Sequence, residues 1–271
     1  MPTLIVASPP VVMLTGGTPP RYAQFDNLLA AAALAAGWAV VRCHADTTPG
    51  ATDEPALYVT TEWALAAGRR MNLSLLEPPF DLLARVPEPF VRRAVEFASF
   101  ADLERLQAPT FVKPADPLDK WFDAGVYSDV RDIRTKNRVS PDAPVLLSEP
   151  VEWSVEFRYF VLEGRVVAGS PYISFGRPMW KLFDKRHPTM PTGGLPVVET
   201  LCSAMRGDLP PAFVVDVGLI ENRGWAVVEF NPVWSAGLLG ADPRPVLPAL
   251  RRATHTGALT AADARWGVAR P

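Results

Sequence analysis

Cysteine and histidine are scarce in this 271-residue chain: two of the first, Cys43 and Cys202, and three of the second, His44, His187 and His255. Two cysteines exclude a disulfide scaffold, and neither residue type falls into a metal-ligand spacing. A reducing cytoplasm is the setting this predicts. Excess charge of either sign is also missing. With 27 Lys and Arg against 29 Asp and Glu, the net charge is −2, so electrostatic capture of nucleic acid or of an anionic membrane is not expected. No run of 18 consecutive apolar residues occurs, which excludes a transmembrane helix. The opening Met1–Val6 lacks the basic n-region of a signal peptide and reads as a buried strand. Three common signatures are absent as well: the G-x-x-x-x-G-K-[ST] phosphate loop, the G-x-G-x-x-G dinucleotide turn and the G-x-S-x-G elbow.

What is present narrows the field. Hydrophobic residues make up 48% of the chain, enough for a sizeable core, and the length suggests roughly two units. Proline is frequent, 29 residues where ~5% is usual, and it is spread along the chain, so many punctuated loops are expected. Only five of the basic residues are lysine: Lys113, Lys120, Lys136, Lys181 and Lys185. An arginine-rich chain that confines its lysines to residues 113–185 invites a specific reason for them, such as a compact ammonium aimed at phosphate.

Strands are predicted at 3–7, 38–43 and 57–60, with an Ala/Leu helix over Gln24–Ala36 closed by Gly37. Alternating strands and helix predict a small parallel α/β unit over roughly residues 1–90. The proline-bounded stretch Glu77–Pro89 reads as a linker. A short helix at 101–106 leads into a strand at 110–113. Further strands are predicted at 145–148, 155–162, 165–169, 213–220 and 225–231, with hairpin turns at Glu163-Gly164 and Glu221–Gly224. A last helix begins at Val246. Residues 174–196 read as a long loop, and Thr15–Thr18 and Thr192–Gly194 as turns.

The sharpest chemical signal lies in the second hairpin. If Glu221–Gly224 closes the turn, Asp216 faces Glu229, with Cβ atoms about 5 Å apart, and Asn231 shares their face. Two facing carboxylates repel unless a cation or a proton lies between them. Either they hold Mg²⁺, which takes oxygen ligands, or they point to solvent on an open face. On the former reading, replacing either by its amide should leave the fold intact. Lys113, ending the apolar strand Phe111-Val112-Lys113, and Lys120 seven residues on could share an anion or be ordinary surface lysines. Glu156 and Arg158 alternate with Val155, Phe157 and Tyr159. They form either a surface ion pair or a ribose acceptor and a phosphate fork, with Glu149 and the backbone around Val151 at a hinge.

Together these residues resemble an ATP-grasp enzyme. The order Lys113, Glu149-Pro150-Val151, Glu156, Asp216 and Glu229-Phe230-Asn231 matches that superfamily over about residues 100–245. The strand Phe111-Val112-Lys113-Pro114, the pair Glu156 and Arg158, and the stretch from Glu229 to Gly237 are most similar to a compact bacterial and phage branch. The resemblance implies an α/β (α+β) ATP-grasp fold: a small N-terminal α/β unit (1–95) before an ATP-grasp unit (96–271), whose antiparallel sheets hold the nucleotide between two subdomains. It implies ATP and Mg²⁺ as cofactors and carboxylate–amine ligation through an acyl phosphate. Lys113, Lys120, Glu149, Val151, Glu156 and Arg158 would bind ATP; Asp216, Glu229 and Asn231 would bind the metal; Arg158, Lys120 and Lys181 would act in catalysis. The partners implied are small-molecule or peptide carboxylates and amines. The loop after Lys113 lacks the usual Gly/Ser-rich cover. Residues 174–190, with Arg177, Lys181, Lys185 and Arg186, are a lid or a solvated basic loop, and Trp234 and Ser235 line the acceptor site or, for Trp234, the core. A small-molecule kinase and a binding module without turnover are the alternatives.

Overall fold

Apolar runs separated by glycine and proline build this protein around three main sheets. The computed structural model describes residues 1–7, 21–43, 54–61, 63–64, 70–116, 121–179 and 193–268. Strands β1 (Thr3–Ala7), β2 (Ala39–Cys43) and β3 (Pro55–Val59) form a parallel sheet in the order β2-β1-β3, with helix α1 (Arg21–Ala35) between the first two. All five residues of β1 are buried, as in a strand covered on both faces. Beyond α1, Gly37 takes φ 76°, a left-handed conformation that glycine adopts without strain.

The stretch expected to be a linker is packed. Strand β4 (Leu73–Leu75) is followed by two single-turn helices, α2 (Leu82–Arg85) and α3 (Glu88–Val91). Leu82, Leu83 and Val86 are buried in one cluster with Leu146 and Phe230. The prolines there punctuate turns, and the apolar pair at 82–83 anchors the segment by removing its side chains from water.

An antiparallel sheet follows: β5 (Val95–Ser99), β6 (Thr110–Pro114), β7 (Gly125–Tyr127) and β8 (Pro144–Ser148), in the order β5-β8-β6-β7. Val112, Val145 and Leu147 pack one face against Leu103, Phe122 and Ile133. By alternation, Lys113 of β6 is presented on the other face. The predicted helix at 101–106 is a 3₁₀ helix over Phe100–Arg105.

The largest sheet comprises β9 (Trp153–Leu162), β10 (Arg165–Ser174), β11 (Arg177–Pro178), β12 (Ala212–Ile220) and β13 (Gly224–Asn231), in the order β11-β10-β9-β12-β13. Glu163 and Gly164 join β9 to β10 with φ of 48° and 72°, the primed two-residue turn that suits strand twist. Strand β10 runs well past the predicted end at Gly169: Pro171 still pairs with Phe157, and a bulge follows it at Tyr172. Helix α4 (Leu195–Ala204), within the region read as loop at its start, packs Val198, Leu201 and Cys202 in the cluster of Tyr159, Val161, Phe213, Val215 and Val217. On the opposite face, Phe160, Ala212 and Val214 merge with the core of the parallel sheet, together with Trp234 and helix α5 (Val246–Arg252). Strand β14 (Thr254–Thr256) then pairs with β4. Among the described residues no helix is long and apolar enough to cross a membrane.

Candidate active site

Register decides which side chains meet on one face of the large sheet. The β12–β13 turn is one residue shorter than the sequence suggests: Ile220 pairs with Gly224, and Val217 with Val227. Continued without interruption, that ladder would set Val228 opposite Asp216 and turn Glu229 to the other face. A bulge at Val228 restores the pairing, so that Asp216 faces Glu229 after all. Arg93 braces the bulge from behind, donating to the carbonyl oxygens of Val227 (2.7 Å) and Val228 (3.2 Å), with its guanidinium 5.0 Å from the Trp153 ring centroid. Burial lowers the Arg93 pKa to about 10, against a weaker upward pull from Glu149.

Asp216 has no exposed surface, which rules out the solvent-facing alternative. Strand β9 lies on the other side of β12, and its Arg158 pairs in register with Asp216. The guanidinium forks the carboxylate at 2.8 Å (Nε to Oδ1) and 2.7 Å (Nη2 to Oδ2), and a third N–H reaches the carbonyl of Gly237 at 3.2 Å. From the smaller antiparallel sheet, Lys113 Nζ reaches across to Glu229 Oε2 at 2.6 Å. Asn231 donates to Glu229 Oε1 at 3.1 Å and lies 3.4 Å from Asp216 Oδ2. The carboxylates are therefore held together by cations supplied from two other strands.

Glu156 lies on the same face, paired through the ladder with Gly218. A Cβ at Gly218 would come within 2.4 Å of the Trp153 ring, so only glycine fits there. Glu156 is buried and makes no ion pair with Arg158, contrary to the surface alternative. Its Oε2 accepts a 2.6 Å hydrogen bond from the Tyr172 hydroxyl.

The electrostatics follow from this partnering. Burial pushes the Glu229 carboxyl up, but Lys113, Asn231 and Arg158 outweigh it and hold the pKa down to about 2. For Asp216 burial is the largest influence and raises the pKa; the Glu229 charge adds to that rise, and Arg158 opposes it. Burial also disfavours charge on Arg158, yet Asp216 more than compensates and raises its pKa. Glu156 is pushed up, mainly by burial.

The structure thus brings together six predicted residues, Lys113, Glu156, Arg158, Asp216, Glu229 and Asn231. Glu149 stands apart on an exposed rim, forked by Arg223 at 2.6 and 2.9 Å, with its backbone N–H donating to the Ala94 carbonyl. Val151 is half-buried in the connection before β9. Lys120, Lys181, Lys185 and Arg186 lie outside the described residues, whereas Arg177 is an exposed residue of β11. Trp234 belongs to the core: it is fully buried and its indole N–H donates to the Leu76 carbonyl at 3.0 Å. The Ser235 hydroxyl oxygen beside it is buried without a hydrogen-bond partner. Sequence reasoning missed Tyr172 and Arg93. The predicted strand ended at Gly169, short of Tyr172, and Arg93 fell just beyond the expected linker Glu77–Pro89, where no element was predicted.

The donor set Asp216, Glu229 and Asn231 suits Mg²⁺, which needs one or two carboxylates and takes its remaining ligands from phosphate and water. Among the described residues no group of three or more His, Cys, Asp and Glu is arranged to hold a metal by itself. A small open cleft lies beside the Lys113–Glu229 pair, walled by Pro78, Pro79, Phe80 and Leu146.

Comparison with known proteins agrees with this geometry. The profile of an ATP-grasp domain family, the second family of its clade, matches residues 90–249, more than half of the chain. No curated protein matches the sequence. Among solved structures, the D-cycloserine synthetase DcsG is similar with a TM-score of 0.53 at 13% identity, covering 92% of this chain and 98% of that one. The D-alanine–D-alanine ligase of Bacillus anthracis has a TM-score of 0.50 at 10% identity, with 93% and 96% covered. The ATP-grasp ligase PsnB, complexed with a minimal precursor, gives 0.50 at 14%, with 92% and 98% covered. At these identities the similarity shows a shared fold.

Proposed function

This chain belongs to the ATP-grasp superfamily, and on that premise we propose that it is an ATP- and Mg²⁺-dependent carboxylate–amine ligase. The observation that carries the reading is the double ion pair, Lys113–Glu229 across the two antiparallel sheets and Arg158–Asp216 within one. Each cation now neutralises a carboxylate. A nucleoside triphosphate offers both cations a stronger partner, and Arg158 suits it because its planar fork grips two phosphate oxygens at once. Once the cations turn to phosphate, Asp216, Glu229 and the amide oxygen of Asn231 are free to hold Mg²⁺. The ion, when bound, supplies further neutralisation of phosphate charge.

Phosphoryl transfer needs positioning and charge neutralisation more than covalent help. Lys113 and Arg158 provide both, and Lys120 and Lys181 add cationic charge in this reading. Glu156 accepts a hydrogen bond from a ribose hydroxyl, and Glu149 with the backbone around Val151 borders the base at the hinge. In the reaction a substrate carboxylate takes the γ-phosphoryl group and ADP leaves. The nitrogen of an amine then attacks the acyl carbon, phosphate departs with the C–O bond electrons, and the amine's proton is lost as the amide forms. The carboxylate and amine belong to small molecules or peptide ends; residues 1–95 form the unit preceding the ATP-grasp unit, and the protein works in the cytoplasm.

Thermal unfolding tests the reading. Mg·ATP at about 100 times its Kd should add ~2.7 kcal/mol, a shift of several degrees, whereas Mg²⁺ alone should do nothing because the protein's own cations occupy its ligands. Glu229→Ala should abolish the Mg·ATP shift. ADP release that depends on an added amine then separates ligation from phosphorylation of a small molecule. A folded protein with no shift at millimolar Mg·ATP would overturn the proposal.

A further inference from the structure

Three carboxylates share one face of the large sheet, and each has its own donor. Arg158 serves Asp216, Lys113 serves Glu229, and the Tyr172 hydroxyl serves Glu156 at 2.6 Å. The first two donors are cations and the third is neutral. That difference matters when a triphosphate arrives. Phosphate oxygens attract an ammonium or a guanidinium strongly, but have far less pull on a phenol already bonded to a buried carboxylate. Asp216 and Glu229 can therefore lose their partners, while Glu156 keeps its own.

The placement of Tyr172 fits that role. It is the unpaired residue of a bulge in β10, since Pro171 pairs with Phe157 and Ile173 with Glu156. Bulges commonly re-aim a side chain beside an active site. The backbone carbonyl of Tyr172 accepts from Met179 N–H at 2.8 Å, and its ring centroid lies 5.4 Å from the Arg158 guanidinium. The side chain is 9% exposed. Its hydroxyl also lies 3.4 Å from Asp216 Oδ2, so it touches the proposed metal ligands without being one.

We infer that Tyr172 is a positioning residue for nucleotide selectivity. By occupying Glu156 Oε2 it holds the carboxylate in one orientation, leaves Oε1 to accept from the ribose, and keeps Glu156 out of the metal set. The inference rests on the assignment of Glu156 to the ribose.

The test is calorimetric titration of Mg·ATP and Mg·2′,3′-dideoxy-ATP, which lacks both ribose hydroxyls, into the wild-type protein, Tyr172→Phe and Glu156→Gln. The wild type should prefer ATP roughly tenfold to hundredfold, the range for a hydrogen bond to a charged group. Tyr172→Phe should weaken ATP and leave the dideoxy nucleotide nearly unchanged, so the preference collapses. A p-aminophenylalanine at position 172 keeps a neutral donor at similar reach and should restore the preference. If Tyr172→Phe fails to fold, that variant decides alone: folded but without preference, it overturns the inference. An equal loss for both nucleotides in Tyr172→Phe would mean a structural role only, and overturns it too. If Glu156→Gln loses the preference and Tyr172→Phe keeps it, the role of Tyr172 falls while the ribose assignment stands. No preference in the wild type overturns both.

Discussion

Arg244 and Arg158 each fork an aspartate, with closest approaches of 2.6 Å to Asp242 and 2.7 Å to Asp216. Their surroundings could hardly differ more. Arg244 is 76% exposed and its partner is two residues away. Arg158 is 11% exposed, Asp216 is fully enclosed, and 58 residues separate them. A solvated pair of the first kind contributes little, because water and salt compete for both charges. A buried pair must offset the desolvation of two ions, and apolar residues of similar volume would often stabilise as well or better. Two such pairs on one face, Arg158–Asp216 and Lys113–Glu229, are therefore poorly explained by stability alone. They are well explained by a site whose charges are waiting for a different partner.

Removing one member of the buried pair should have the largest effect. Asp216→Asn was expected on sequence grounds to leave the fold intact by relieving repulsion between carboxylates. The structure reverses that expectation, since the variant strands the Arg158 guanidinium in a buried site. A loss of about 3 kcal/mol is expected, measurable as a lower urea midpoint with unchanged slope. The second effect is smaller and of opposite character. In Lys113→Met, Glu229 loses the cation that keeps its pKa near 2, and its carboxylate becomes available. Mn²⁺ should then bind without nucleotide at least about tenfold more tightly than to the wild type, equivalent to ~1.4 kcal/mol, as read by the loss of the free-ion paramagnetic resonance signal. An unchanged Mn²⁺ affinity would mean that Lys113 is not competing with the metal. The smallest effect belongs to the exposed pair: Asp242→Ala should shift neither the unfolding midpoint nor Mg·ATP binding. A clear change in either would erase the contrast between the two kinds of pair.

The same contrast separates what could be read early from what could not. Glu229 and Asn231 share a face by simple alternation, and the Asn222 and Gly224 turn residues marked the hairpin, so Asp216 and Glu229 were legible as a pair. The route to that pairing was not. The turn is shorter by one residue and the bulge at Val228 compensates, and that bulge is braced by Arg93, 134 residues from Val227. Tyr172 was hidden for a similar reason. Proline in a strand ordinarily signals an end or an edge, and only the neighbouring strand β9 reveals that the ladder continues beyond it.

Composition, alternation and turn residues by themselves determined the strand that carries Lys113, the hairpin that carries Asp216, Glu229 and Asn231, and the order of these elements along the chain. Those are local rules, governed by side-chain direction every second residue and by backbone conformations that glycine and asparagine tolerate. Only the tertiary structure decided that Arg158 and Lys113 neutralise the carboxylates, that Tyr172 serves Glu156, and that Trp234 lies in the core. Such partnerships join residues far apart along the chain. They are set by which strands become neighbours when apolar faces are buried, and nothing local in the sequence records that choice.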